Sequence, residues 1–177
     1  MASIPSQRTW TAGETVTAAM LNDDVRDAIT FFVSGRPKAL LRQTSAQSLT
    51  NNTWVALTMD VEDHDNDGAH STVSNTSRYT AVTPGWVRAS GLVSIATSGT
   101  NQRGARWAVN GTVLNASRTQ HNASGAGTTG VVASGRLVFL NAGDYLELYG
   151  FQNSGGAINT SVTSDEQSQL SLTWEGS

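Results

Sequence analysis

Not one of the 177 residues is cysteine. Disulfide frameworks and thiolate metal sites are therefore excluded, and packing alone has to hold the fold. Charge is scarce as well: 14% of residues are charged, and the formal net charge is -3. A phosphate-binding face needs a Lys/Arg cluster, whereas Arg78, Arg88, Arg103, Arg106, Arg118 and Arg136 are spread along apolar stretches. They read as solvated strand positions and loop ends, and the sequence predicts no nucleic-acid partner. No apolar run approaches the roughly 18 residues of a membrane span, and the opening MASIPSQRTW lacks the apolar core of a signal peptide. A soluble protein without membrane or export signal is the expectation. Proline is limited to 3 residues while glycine reaches 17, and Ser, Thr and Asn fill much of the rest. That is a turn-rich β composition, with an apolar pattern too regular for disorder.

What is present is alternation. In Arg136 to Gly155, Leu137 and Phe139 oppose Val138 and Leu140, and after Asn141-Ala142-Gly143-Asp144 the residues Leu146 and Leu148 alternate with Tyr145, Glu147, Tyr149 and Phe151. Period two over that length means strand. The first run is apolar on both faces and fits a strand clamped between two layers, so the pair reads as the inner hairpin of a sandwich. Further strands are expected at 39–44, 53–61, 77–82, 86–97, 105–110, 112–117, 131–140, 144–152 and 169–174, with a weaker one at 157–163. Asn110-Gly111 between two such runs predicts a type I′ hairpin turn, because both residues tolerate positive φ. No fixed-period repeat occurs, so an all-β double-sheet jelly roll is the expected fold for residues 38–177.

Residues 1–37 follow another rule. Thr17 suits a helix N-cap, Leu21, Val25, Ala28, Ile29 and Phe32 recur at helical spacing, and Asp23 and Asp24 sit where the dipole favours anions. Gly35 and Pro37 should end the helix. About four turns are marginal alone, and a jelly roll closes its own core. Trp10, Leu21, Val25, Ile29 and Phe32 are therefore read as a docking surface for something outside the chain. On the sandwich, Tyr145, Tyr149 and Phe151 share a face with Glu147, a mixture suited to a subunit seam.

Little here carries chemistry. Asp63-His64-Asp65-Asn66-Asp67-Gly68 matches the first half of a calcium loop, with Asp63, Asp65 and Asp67 as candidate ligands. The second half fails, since Ser71 and Ser74 stand where a water-bridged ligand and a bidentate Glu belong, and the plain reading is an Asp-rich turn. Gly125 to Gly130, GAGTTG, matches the dinucleotide fingerprint in letters, yet a polar loop precedes it and a strand follows, so no helix N-terminus could hold a pyrophosphate. His64, His70 and His121 lie in polar segments outside any catalytic motif. The sequence predicts no enzyme, and no cofactor beyond the calcium candidates.

Two parts of the chain resemble known families. RTWTAGETVTAAMLNDDVRDAITFF, with Trp10, Gly13-Glu14, Thr17-Ala18, Leu21-Asn22 and Arg26-Asp27, resembles the N-terminal segment of tail-associated structural proteins of bacteriophages. The stretches DVEDHDNDGAHS, SRYTAVTPGWVRASGLVSI, Gly104 to Gly111 and LNAGDYLELYGFQNSG are similar to the TNF-like jelly roll of complement globular heads. The resemblance implies a homotrimeric virion protein, of minor-tail, fibre or head-decoration type. It would assemble in the host cytoplasm, attach to other virion proteins through its N-terminal segment, and have a host-surface glycan as a further partner. A carbohydrate-binding module is the alternative.

Overall fold

The computed structural model describes Pro5, residues 8–163 and residues 165–177. A helical segment comes first. Its α-helical turns, Ala18–Leu21 (α1) and Asp27–Thr30 (α2), alternate with wider π-helical turns at Asn22–Arg26 and Phe31–Gly35. Thr17 caps it as predicted, its hydroxyl accepting from the Met20 backbone N–H. The chain leaves at Arg36 in extended conformation, as the following proline demands.

The strands are β1 (Lys38–Arg42), β2 (Ser48–Leu49), β3 (Thr53–Ala56), β4 (Val61–Asp65), β5 (Arg78–Thr80), β6 (Gly85–Ile95), β7 (Gln102–Val109), β8 (Thr112–Val113), β9 (Thr119–Asn122), β10 (Thr129–Leu140), β11 (Tyr145–Gln152), β12 (Ile158–Asn159) and β13 (Gln169–Gly176). One antiparallel sheet has the order β10-β6-β13-β1-β4. The second is centred on β11, with β3 and β5 along one edge and β7 along the other, and β7 goes on to pair with β8 and β9. A short β2-β12 pair stands beside them. The architecture is the expected all-β double-sheet jelly roll.

Leucine, valine and tryptophan side chains from the two inner faces meet between the sheets: Leu41, Val93, Leu140 and Leu170 from one, Trp107, Leu146 and Leu148 from the other. Gly91 on β6 makes room for this, since a Cβ there would lie 2.9 Å from Leu148 and 3.0 Å from Trp107.

The expected inner hairpin is not one. β10 pairs with β6, β11 pairs with β7, and Asn141 to Asp144 carries the chain from one sheet to the other. Nor is β10 clamped between layers, because Leu137 and Phe139 face outward and are exposed. The expected strand 53–61 divides at residues 57–60. Leu57 N–H still bonds Leu148 of the second sheet, while Asp60 N–H bonds Arg42 of the first. The strand expected at 112–117 stops at Val113, and β9 and β2 were not anticipated. The Asn110-Gly111 turn is as predicted, with φ of 50° and 74° closing the β7-β8 hairpin.

Candidate interaction surfaces

Three outward surfaces present aromatic and apolar side chains. On the first sheet, strict alternation turns Trp86, Arg88, Ser90 and Leu92 of β6 away from the core. Their register partners Phe139, Leu137 and Val132 of β10 extend the same face. Val132 is 65% exposed, Leu137 51%, Phe139 43% and Trp86 43%. Trp86 and Phe139 pack edge to face, 5.4 Å apart, without leaving the surface. Towards β1 the face turns polar, with Arg88 held by Glu175 at 2.8 Å and Ser90 by Ser171 at 2.8 Å. The apolar part is therefore a band along the β10 side.

On the second sheet, Tyr145, Glu147, Tyr149 and Phe151 share the outer face as the alternation predicts. Much of their surface is already covered from within the chain. Trp54 lies over Phe151 at 4.9 Å and leaves it 7% exposed, and the Arg78 guanidinium stacks on Tyr145 at 4.0 Å. The Tyr149 hydroxyl donates to Glu147 at 3.2 Å, and Ser77 donates to the same carboxylate at 2.7 Å. Burial, with the Glu147 charge beside it, pushes the Tyr149 hydroxyl above its usual pKa. Arg106 completes the row, 4.3 Å from the Trp54 ring centroid and 5.5 Å from that of Tyr149.

The helical segment supplies the third surface. Leu21, Val25, Ile29 and Phe32 are all exposed among the described residues. Trp10 is exposed too, with Arg8 stacked on it at 5.0 Å and paired to Glu14 and Asp24. The residue that fastens the helix to the sandwich is one the sequence reading missed. Phe31 is buried and meets Trp174 edge-on at 5.3 Å. Below, Asn66 ties the exit of the helix to β1, accepting from Lys38 N–H at 2.7 Å and donating to the Arg36 carbonyl at 2.9 Å. A cavity of about 620 Å³ opens between arm and β13, lined by Arg8, Trp10, Asp24, Phe31 and Trp174.

The acidic segment forms no cation site among the described residues. It is not one loop, since Val61 to Asp65 is strand β4. Asp63 faces outward and pairs with Arg42 at 2.7 Å. Asp65 accepts from the backbone N–H groups of Asp67, Gly68 and His70, and Asp67 is buried and accepts from Thr83 N–H. The three candidate ligands thus point to three tasks, and the Asp-rich turn holds through capping. GAGTTG runs from a loop into β10, with no helix after it. The arginines need one correction. Arg103 is not solvated but fully buried, its guanidinium donating to the carbonyls of Ser98, Thr100 and Gln102.

Neither a protein-family model nor a curated protein matches the chain. Solved structures do. The globular domain of zebrafish complement 1qA aligns with a TM-score of 0.56 at 14% identity, covering 78% of this chain and 96% of that one. Murine APRIL at pH 5.0 aligns with a TM-score of 0.60 at 10% identity, covering 79% and 99%. Eiger TNF from S. frugiperda aligns at 0.53 with 14% identity, covering 80% and 94%. At such identities the fold is what is shared, and the sandwich after the helical segment is a jelly roll of the TNF-like and complement-globular-head type.

Proposed function

We propose that the chain is a structural protein of a bacteriophage virion, a homotrimeric surface projection attached through residues 1–37. The observation that carries the reading is a pair of apolar surfaces left exposed among the described residues, one on the sandwich and one on the helical segment. Neighbouring exposed apolar side chains of this kind in a folded domain suit contact with other protein. Two separate surfaces suit two kinds of contact.

The band Trp86, Val132, Leu137 and Phe139 is assigned to the contact between copies. It lies on the paired strands β6 and β10, and its aromatic and aliphatic residues, bordered towards β1 by Arg88, Ser90 and Ser171, give the apolar centre and a polar margin of a subunit interface. It offers more uncovered apolar surface than Tyr145, Tyr149 and Phe151, which Arg78, Glu147 and Trp54 partly cover. The stripe Leu21, Val25, Ile29 and Phe32, with Trp10, is assigned to docking on another virion protein, and the placement on a virion rests on the phage-like Arg8 to Phe32 segment. Assembly would take place in the host cytoplasm.

Electron microscopy of intact particles with a labelled chain tests the location, and light scattering of the purified full chain tests the assembly. Density at a tail, fibre or capsid surface and a mass of three chains are expected. A particle without the label, or a monomer at micromolar concentration, would remove the corresponding half of the reading.

A further inference from the structure

The outer face of the second sheet holds a cation that stacks on aromatic rings but meets no carboxylate among the described residues. Arg42 has Asp63, Arg26 has Asp27 and Arg88 has Glu175, each 2.7 to 2.8 Å away. Arg103 has three backbone carbonyls. The Arg106 guanidinium has no hydrogen bond or ion pair among the described residues, and its Nε is shut off from solvent. A guanidinium presents five N–H donors in a planar fork, and leaving them unmet is costly. Glu147, the carboxylate on the same face, is already taken by Ser77, Tyr149 and Arg78. Burial presses the Arg106 pKa down, Tyr149 partly offsets this, and neighbouring Arg118 lowers it slightly further.

The surroundings are arranged around that group. Arg106 is directly opposite Tyr149 in the β7-β11 register, and Trp54 is opposite Phe151 on the next strand. Gly104 leaves bare backbone where Trp54 and Gln120 lie, and a Cβ there would meet each at 2.8 Å. The glycine thus lets the indole spread across β7 and reach Arg106. The result is a guanidinium fork beside two partly buried aromatic side chains on the outer sheet face.

We propose that this face binds acidic saccharides, with Arg106 taking the sugar carboxylate through its fork and Trp54 and Tyr149 presenting their rings to the sugar. A planar carboxylate satisfies two of the fork's donors at once. The aromatic flanks suit the apolar face of a pyranose ring. An extended acidic peptide fits less well, because β7 and β11 are hydrogen-bonded along both edges and offer a peptide no backbone to pair with. Only the outward display of the site depends on the trimer reading; the site itself lies within one chain.

The test uses the full chain. Calorimetry and tryptophan fluorescence would follow titration with an oligogalacturonate, its neutral oligosaccharide counterpart, sodium acetate and a glutamate-rich peptide. Oligogalacturonate is expected to bind, with Arg106→Gln weakening it by about tenfold or more and added salt weakening it further. Trp54→Ala should weaken it as well, while Arg136→Gln leaves it unchanged. Melting curves confirm that each variant is folded. Light scattering on the same samples separates the two readings, since a monomer that binds keeps the site and a trimer that does not bind removes it. Absence of oligogalacturonate binding, binding undiminished in Arg106→Gln, equal binding of acetate alone, or preference for the peptide would each overturn the proposal.

Discussion

The indole N–H of Trp107 crosses the sandwich and donates to the carbonyl of Ser134 at 2.8 Å. Trp107 belongs to β7 of one sheet, and Ser134 lies in β10 of the other, where the register with β6 shifts between Ala133 and Arg136. A β-bulge frees a carbonyl from the ladder, and the tryptophan satisfies it from the opposite layer. One side chain therefore fills the core over Gly91 and satisfies the Ser134 carbonyl of the bulge.

Trp107→Phe should keep most of the packing and leave the Ser134 carbonyl unmet, at a cost of about 1–3 kcal/mol. Trp107→Ala adds a cavity between the sheets and should cost roughly 3–5 kcal/mol. Denaturant unfolding of both variants measures the difference. Equal losses would mean that the hydrogen bond contributes nothing beyond volume.

A second link joins the two turns most visible in the sequence. Asp144 accepts from the Asn110 side chain at 2.7 Å, and from the Asn141 backbone and side chain at 2.8 and 3.0 Å. Those donors, Asn110 first, hold the Asp144 carboxyl below its usual value of 3.8. A carboxyl lowered by folding contributes stability above its unfolded pKa, and that contribution is lost as pH falls through the folded one. The melting temperature should therefore drop on acidification below pH 4, and Asp144→Asn should lower it at neutral pH while flattening that part of the acid limb. Parallel pH profiles for the two proteins would rule out this contribution.

These turns and the core alternation were legible because each depends on neighbours in sequence. Partner choice was not. Val55, Leu57 and Met59 keep period two straight through the point where the backbone changes sheets, so the pattern is blind to the switch. Leu137 and Phe139 suggested a strand covered on both faces, yet they are exposed in the single chain, as a residue reserved for another copy would be. The anchor of the helix was not legible in its period. Phe31 lies outside the stripe of Leu21, Val25, Ile29 and Phe32, in a π turn wider than 3.6 residues per turn, and it is the residue that is buried, while Phe32 is 62% exposed. Arg106 carried no sequence signal at all, because its site is made by Trp54 and Tyr149 on other strands.

The subunit contact can be assigned by comparing faces. Leu137→Asp with Phe139→Asp places charge in the apolar band without touching the core, and should turn the proposed trimer into a folded monomer. Tyr149→Ser on the other sheet should leave the trimer intact. Light scattering combined with circular dichroism reads both properties, and the reverse pattern would move the contact to the Tyr145, Tyr149 and Phe151 face.

The proposed attachment and the packing can be separated in the helical segment because they fall on different residues. Phe31 is buried against Trp174, whereas Val25 and Ile29 touch solvent. Deleting residues 1–37 removes both functions, so it should abolish incorporation into particles and also lower the melting temperature by uncovering Trp174. Phe31→Ala should lower the melting temperature, at a cost of up to roughly 3–5 kcal/mol. Val25→Asp with Ile29→Asp should leave the melting temperature within a few degrees of the parent, since surface changes away from caps and core stay near 0.5 kcal/mol. The same double variant should fail to enter particles, because two carboxylates would be buried unpaired in the docked state. Copy number per particle, from quantitative gel analysis of purified virions, decides the matter. A double variant present at parental copy number would assign attachment to the sandwich and leave the helix as a cover for Trp174.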